Sequence, residues 1–271
     1  MSAIESRFSA LRARGEGALI VFVVAGHPTV PVSSDLLIAI ADAGADVIEL
    51  GVPFSDPLAD GPVIQAASQR ALENQVTPSQ VLEIAGRFRS ARDVPLVLMT
   101  CYNPIRQFGV GRFARESAGR GVNGVIVTDL PPEEAGEWIA AARANAVDTV
   151  FLLAPTSPAD RVKKVVDLAT GFVYCVSRMG VTGARTDLPA DLKDLVGRIR
   201  AQTSKPIAVG FGISRPEHVA DVCSLADGAV VGSAVVSLVD RGQGSAGLLQ
   251  QVAGFVLELK SAARRNQPAH L

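Results

Sequence analysis

Apolar residues in this chain fall into short unbroken runs, separated by longer stretches in which they recur at helical spacing. Ala18–Ala25 (ALIVFVVA) is apolar throughout, as a strand buried on both faces would be. Comparable runs occupy Asp46–Leu50, Val94–Thr100, Gly124–Thr128, Asp148–Leu153, Phe172–Val176, Pro206–Val209 and Gly228–Val231. Before the first run, residues 3–14 place Ile4, Phe8 and Leu11 on one helical face. Between the others the spacing predicts a helix capped by Ser33 or Ser34 and ending near Ala43-Gly44, then helices over 62–73 and 78–90, the latter capped by Thr77 or Ser79. Further helices are predicted over 110–119 (after a Tyr102-Asn-Pro-Ile loop), 132–145, 158–169, 189–202, 215–225 and 245–264. Eight doubly buried strands, each followed by a helix, imply a parallel sheet, and eight such units close most naturally into a barrel. An open doubly wound sheet competes, but no G-x-G-x-x-G follows the first strand. The expectation is a single (βα)8 TIM barrel of the α/β class over residues 1–271, with an extra N-terminal helix, a short helix after the eighth strand and a frayed tail at 265–271.

Composition narrows this without changing it. A length of 271 residues suits one such barrel, and no composition break marks a second domain. A net charge of −1, no basic run and few aromatics give no footprint for nucleic acid or an anionic membrane surface. The longest apolar run is far short of a bilayer span, and the N-terminus shows no secretory h-region. Cys101, Cys175 and Cys223 lie far apart among apolar residues, as reduced core cysteines of a cytoplasmic protein would. No metal-ligand spacing is present.

In barrels of this kind the site lies at the C-terminal strand ends. One stretch stands out there: Asp46-Val-Ile-Glu-Leu-Gly-Val-Pro-Phe-Ser-Asp-Pro-Leu-Ala-Asp-Gly-Pro62. Glu49 replaces an apolar residue near a strand end, where burial would raise its pKa towards the range useful for proton transfer. The prolines make the following loop stiff. Asp60 reads equally well as part of an Asp-Gly turn or as a functional carboxylate, and Asp56 as a loop-shaping or partner-facing residue. Tyr174 is either a core aromatic or an inward-facing site residue, and His27 is candidate polar lining at the mouth. Tyr102, Asn103, Thr128, Asp129, Ser177 and Arg178 also fall at or just beyond strand ends. Glycine-rich segments follow the sixth, seventh and eighth strands: Met179–Ala184, Gly210–Ser214 and Gly232–Val236. They are either tight turns or an anion cradle, and the loops after the seventh and eighth strands are where such barrels bind phosphate. Arg178–Leu188 is longer than the usual connection and is a candidate lid or a plain surface loop. Lys163, Lys164, Lys193 and Lys260 lie on helices and Lys205 at the opposite barrel end, so none is placed for a Schiff base.

Glu49–Pro62, Ser177-Arg-Met-Gly-Val-Thr-Gly-Ala184, Gly210-Phe-Gly-Ile-Ser214 and Gly232-Ser233 together resemble the signature of the tryptophan synthase α-subunit family, over essentially the whole chain. The resemblance implies a carbon–carbon lyase of tryptophan biosynthesis that cleaves indole-3-glycerol phosphate into indole and D-glyceraldehyde 3-phosphate. It implies Glu49 as general acid/base, Asp60 as the carboxylate facing the indole N–H and Tyr174 near the glycerol chain. Gly183, Phe211, Gly212, Gly232 and Ser233 would bind phosphate. Pro53, Asp56, Tyr102, Asn103, Arg178 and Thr182 would belong to segments that meet the partner or cover the ligand. The implied partner is a β subunit, in an α2β2 assembly, that receives the indole and carries pyridoxal phosphate; this chain would hold no cofactor. A free-standing lyase and a non-catalytic activating barrel are the alternatives. One departure stands out: the family commonly reads Thr-Ala-Gly-Asp-Pro after the first strand, whereas here the segment is Val24-Ala-Gly-His-Pro28.

Overall fold

The computed structural model describes residues 1–57, 59–176, 190–210 and 212–264. Nine parallel strands form one sheet: β1 (Ala18–Val24), β2 (Val47–Gly51), β3 (Leu96–Thr100), β4 (Gly124–Val127), β5 (Asp148–Val150), β6 (Leu152–Leu153), β7 (Val173–Val176), β8 (Ile207–Gly210) and β9 (Gly228–Val231). Their order is β5-β4-β3-β2-β1-β9-β8-β7-β6. The two ends of that order, β5 and β6, are separated in sequence only by Phe151, so they are halves of one broken strand. β5 pairs with β4 and β6 with β7. The sheet therefore closes on itself, and the expected eight-stranded barrel appears with its fifth strand split at the seam.

The helices are α1 (Ala3–Ala13), α2 (Val30–Asp42), α3 (Pro62–Glu73), α4 (Pro78–Ala91), α5 (Tyr102–Phe108), α6 (Val110–Gly119), α7 (Gly136–Ala144), α8 (Ala159–Leu168), α9 (Ala190–Arg200), α10 (Pro216–Leu225), α11 (Ser233–Gly242) and α12 (Leu248–Ala262). Local chemistry sets several starts. Ser2 and Glu5 form a capping box at α1, and Thr77 with Gln80 does the same at α4, where Pro78 stands at the first turn. α2 is capped by Thr29, one turn earlier than Ser33 or Ser34. The Ser33 hydroxyl instead accepts from the Gly26 N–H and donates to the Val30 carbonyl. The segment expected as a Tyr102–Ile105 loop is helical, because the Asp129 carboxylate accepts the Tyr102 N–H at 2.7 Å. α7 starts four residues late, after the Pro131-Pro132 pair.

Alternate residues of each strand point inward. Ile20, Val47, Val97, Ile126, Phe172, Ala208 and Val230 fill the barrel, and Ile4, Phe8 and Leu11 of α1 plug its N-terminal end. That end is also tied by ion pairs. Asp46 accepts from the Leu19 N–H and from Lys260 of α12, and Asp227 pairs with Arg12 and Arg200. With one end closed, any ligand must enter at the other, where β2 leads into the acidic loop. Cys101, Cys175 and Cys223 are buried, and among the described residues no helix is long and apolar enough to cross a membrane.

Candidate active site

Side chains two apart on a strand share a face, so Glu49 stacks directly above Val47 and projects into the barrel. It is 1% exposed, and neither carboxyl oxygen has a hydrogen-bond partner among the described residues. Burial, and then the nearby charge of Asp60, push its pKa up to about 8. Glu49 is therefore mainly protonated at neutral pH. Asp60 sits two residues before α3, with its backbone held between Pro57 and Gln65. Burial raises its pKa to about 6, which leaves it mainly ionised at neutral pH. Two carboxyl groups of one site thus carry different protonation states, set by their surroundings.

Both line a cavity of about 130 Å³ at the C-terminal strand ends, walled by Phe22, Met99, Tyr174 and Val230. Tyr174 is buried beside the two carboxyl groups, and burial followed by their charge holds its phenol well above its ordinary pKa. Its ring fits only because residue 210 is glycine: a Cβ there would lie 2.2 Å from the Tyr174 hydroxyl oxygen. The cavity continues to the backbone of Gly212–Ser214 and Gly232–Ala234, carried by β8 and β9. Gly212 adopts φ +76°, a conformation that side chains disfavour. Gly232 caps α11 without any side-chain hydrogen bond, so the first-turn N–H groups of this ten-residue helix are open to an anion. The site has a proton donor and a carboxylate at one end and an anion cradle at the other.

A family model described as "Tryptophan synthase alpha chain" matches residues 8–264. The chain belongs to that family. Tryptophan synthase alpha chains of Geobacter sp. (strain M21) and Caldanaerobacter subterraneus subsp. tengcongensis are 48% and 42% identical over 260 residues, 96% of this chain and 97% and 99% of theirs. Solved structures agree. A ligand-free tryptophan synthase of M. tuberculosis superposes with a TM-score of 0.89 at 34% identity, covering 97% of this chain and 100% of that one. The tryptophan synthase subunit alpha of Legionella pneumophila gives 0.89 at 33% identity, covering 97% and 98%. Membership in the tryptophan synthase alpha family carries a lyase role in tryptophan synthesis and a β-subunit partner.

The structure brings Glu49, Asp60, Tyr174, Gly212, Gly232 and Ser233 to one cavity. Gly183, Phe211, Arg178 and Thr182, and the 178–188 segment, lie outside the described residues. Asp56 and Asn103 are exposed and Tyr102 is half-buried, whereas Pro53 is buried and cannot face a partner directly. His27 does not line the mouth. It is buried and faces Asp240 and the Arg70 charge instead. Phe22, Met99, Ile64 and Ile213 were not foreseen as cavity walls. Phe22 and Met99 share strand parity with Ile20 and Val97, and that parity is the signal that could have found them.

Proposed function

We propose that this alpha chain cleaves indole-3-glycerol phosphate to indole and D-glyceraldehyde 3-phosphate. In this reading the phosphate sits against Gly212, Gly232 and Ser233, where open helix N–H groups favour it. The indole lies between Phe22 and the Asp60 carboxylate, which accepts the ring N–H. Glu49, protonated at neutral pH, donates its proton to indole C3, and Asp60 stabilises the positive charge that develops on the ring nitrogen. The Glu49 carboxylate so formed takes the proton of the hydroxyl on the adjacent carbon. The O–H electrons become the aldehyde C=O, the C–C bond breaks, and its electron pair neutralises the indoleninium. Glu49 ends protonated, as it began. Tyr174 borders the glycerol chain.

The observation that carries this reading is that a buried Glu49, without a hydrogen-bond partner among the described residues, and the Asp60 carboxyl meet on one cavity. The reading extends to an α2β2 cytoplasmic assembly in which the β partner holds pyridoxal phosphate and receives the indole. The half-buried Tyr102 and exposed Asp56 and Asn103 lie on segments suited to that contact. Indole release by the full chain, alone and with a β subunit, tests the reading: wild type should be accelerated by the partner and Glu49→Gln should release none. Equal rates for Glu49→Gln and wild type would remove Glu49 from the mechanism.

A further inference from the structure

α3 and α11 pack against each other beside β1. Asp60 stands just before α3, and the anion cradle opens α11. Some two turns into each helix lies a side-chain cluster that the chemistry above does not use. Arg70 of α3 pairs with Asp240 of α11, and the His27 Nε2 lies 3.4 Å from the same Asp240 oxygen without a hydrogen-bond partner among the described residues. His27 is buried, and that burial, reinforced by Arg70, holds its pKa down at about 4, so the ring is neutral at physiological pH. The loop that carries it is gripped by α3, whose Asn74 donates to the carbonyls of Gly26 (3.2 Å) and Pro28 (2.8 Å). Asp240 occupies the last turn of α11, where the helix dipole disfavours a carboxylate. Its place is explained by what it faces on α3 and on the loop.

We propose that Arg70 and Asp240 are positioning residues that clamp α3 to α11 and thereby fix the span between the Asp60 carboxylate and the phosphate cradle. The clamp matters for a ligand that must reach both ends at once. A ligand that touches one end has no use for it. The proposal rests on the lyase reading, through the substrate used to measure it.

The test compares cleavage of indole-3-glycerol phosphate with that of its dephosphorylated form, indoleglycerol, by the full chain in complex with a β subunit. Arg70 and Asp240 are 39% and 41% exposed, so they can be replaced without opening a cavity. In Asp240→Asn and Arg70→Gln the ratio of the two kcat/KM values should fall roughly three- to tenfold, the size expected for one partly solvated charge-assisted contact. The KM for the phosphorylated substrate should rise while kcat holds, and Asp240→Glu should restore the ratio. Inorganic phosphate, which touches one end, should bind all variants alike. An unchanged ratio, or equal losses on both substrates, would overturn the clamp. Hydrogen exchange in α3 and α11 on the same samples separates the two ideas. If wild type fails to cleave indole-3-glycerol phosphate, the lyase reading falls. The clamp then stands if Asp240→Asn, but not Asp240→Glu, speeds exchange in both helices, and falls if it does not.

Discussion

Glu49→Gln is expected to remove cleavage and, at the same time, to stabilise the protein at neutral and mildly alkaline pH. The carboxyl titrates near 8 in the folded chain, against an ordinary value of 4.5. Between those values the native state binds more protons than the unfolded state, so stability falls as pH rises from 4.5 and levels off above 8. At about 1.4 kcal/mol per pH unit the full penalty is about 5 kcal/mol, and about 3 kcal/mol of it is present at pH 7. Glutamine has nearly the same shape and cannot ionise, so it escapes the penalty. It does leave an amide where none of the described residues bonds the carboxyl it replaces, a cost of about 1–3 kcal/mol, but protonated Glu49 bears a similar cost at every pH. The distinctive signature is therefore the pH dependence of the difference, more than its value at one pH. From pH 5 to pH 8 the variant should gain about 3 kcal/mol on wild type, or roughly 6 °C in Tm for a chain of this size. Thermal or denaturant unfolding of both proteins across that range, beside an indole-release assay, measures it. Parallel stability curves would show that Glu49 is not held protonated by burial, and the proton-donor role would lose its physical basis.

The same two carboxyl groups should shape the rate. kcat/KM should rise as Asp60 ionises near pH 6 and fall as Glu49 loses its proton near pH 8, giving a bell with its plateau between them, and a profile flat from 5 to 9 would contradict both assignments. Asp60→Asn should lower kcat/KM about 10²- to 10³-fold, the usual cost of one electrostatic stabiliser, and abolish the acid limb of that bell. Gly210→Ala places a Cβ 2.7 Å from Tyr174 Cζ, so the ring must turn out of its position; cleavage should drop with the far-UV circular dichroism unchanged, and full activity would free Tyr174 from any role. Thr77→Ala removes the capping box of α4, which does not line the cavity, and should cost about 1 kcal/mol in denaturant unfolding while leaving kcat intact.

The barrel was legible because its strands are buried on both faces, which leaves seven- and five-residue apolar runs such as Ala18–Val24 and Leu96–Thr100 with little ambiguity. Boundaries failed where tertiary partners decided them. The Asp129 carboxylate turns Tyr102–Phe108 into a helix from 27 residues away, and the barrel seam breaks the fifth strand at Phe151; neither has a local signature. In the site, Glu49 was visible as one charge within an apolar run. Asp60 could not be separated from an Asp-Gly turn by spacing alone; the family resemblance singled it out, and the cavity places it beside Glu49. His27 was misjudged for the same reason: nothing near it in sequence announces Arg70 or Asp240, and their approach is a product of helix packing.

Burial alone would not have singled out Glu49, because other acids are buried at strand ends. Asp46, Asp148 and Asp227 lie at the N-terminal ends of β2, β5 and β9, and Asp46 and Asp227 are answered there by cations. Asp46 meets Lys260 and a backbone N–H, and Asp227 meets two arginines and the Ile207 N–H, whereas Asp148 keeps one carboxyl oxygen without a hydrogen-bond partner among the described residues and burial raises its pKa. Asp46 and Asp227 hold the closed end of the barrel together through these pairs. Glu49 occupies the open end, where neither carboxyl oxygen has a hydrogen-bond partner among the described residues and burial keeps its proton on. A carboxyl that destabilises the fold when it ionises has no structural reason to stand where Val47 and Leu50 show that a hydrophobe would fit. On the proposed mechanism the reason lies in the cavity above it, where a proton held up to about pH 8 and a second carboxylate already ionised at neutral pH would serve to break a C–C bond next to an indole ring.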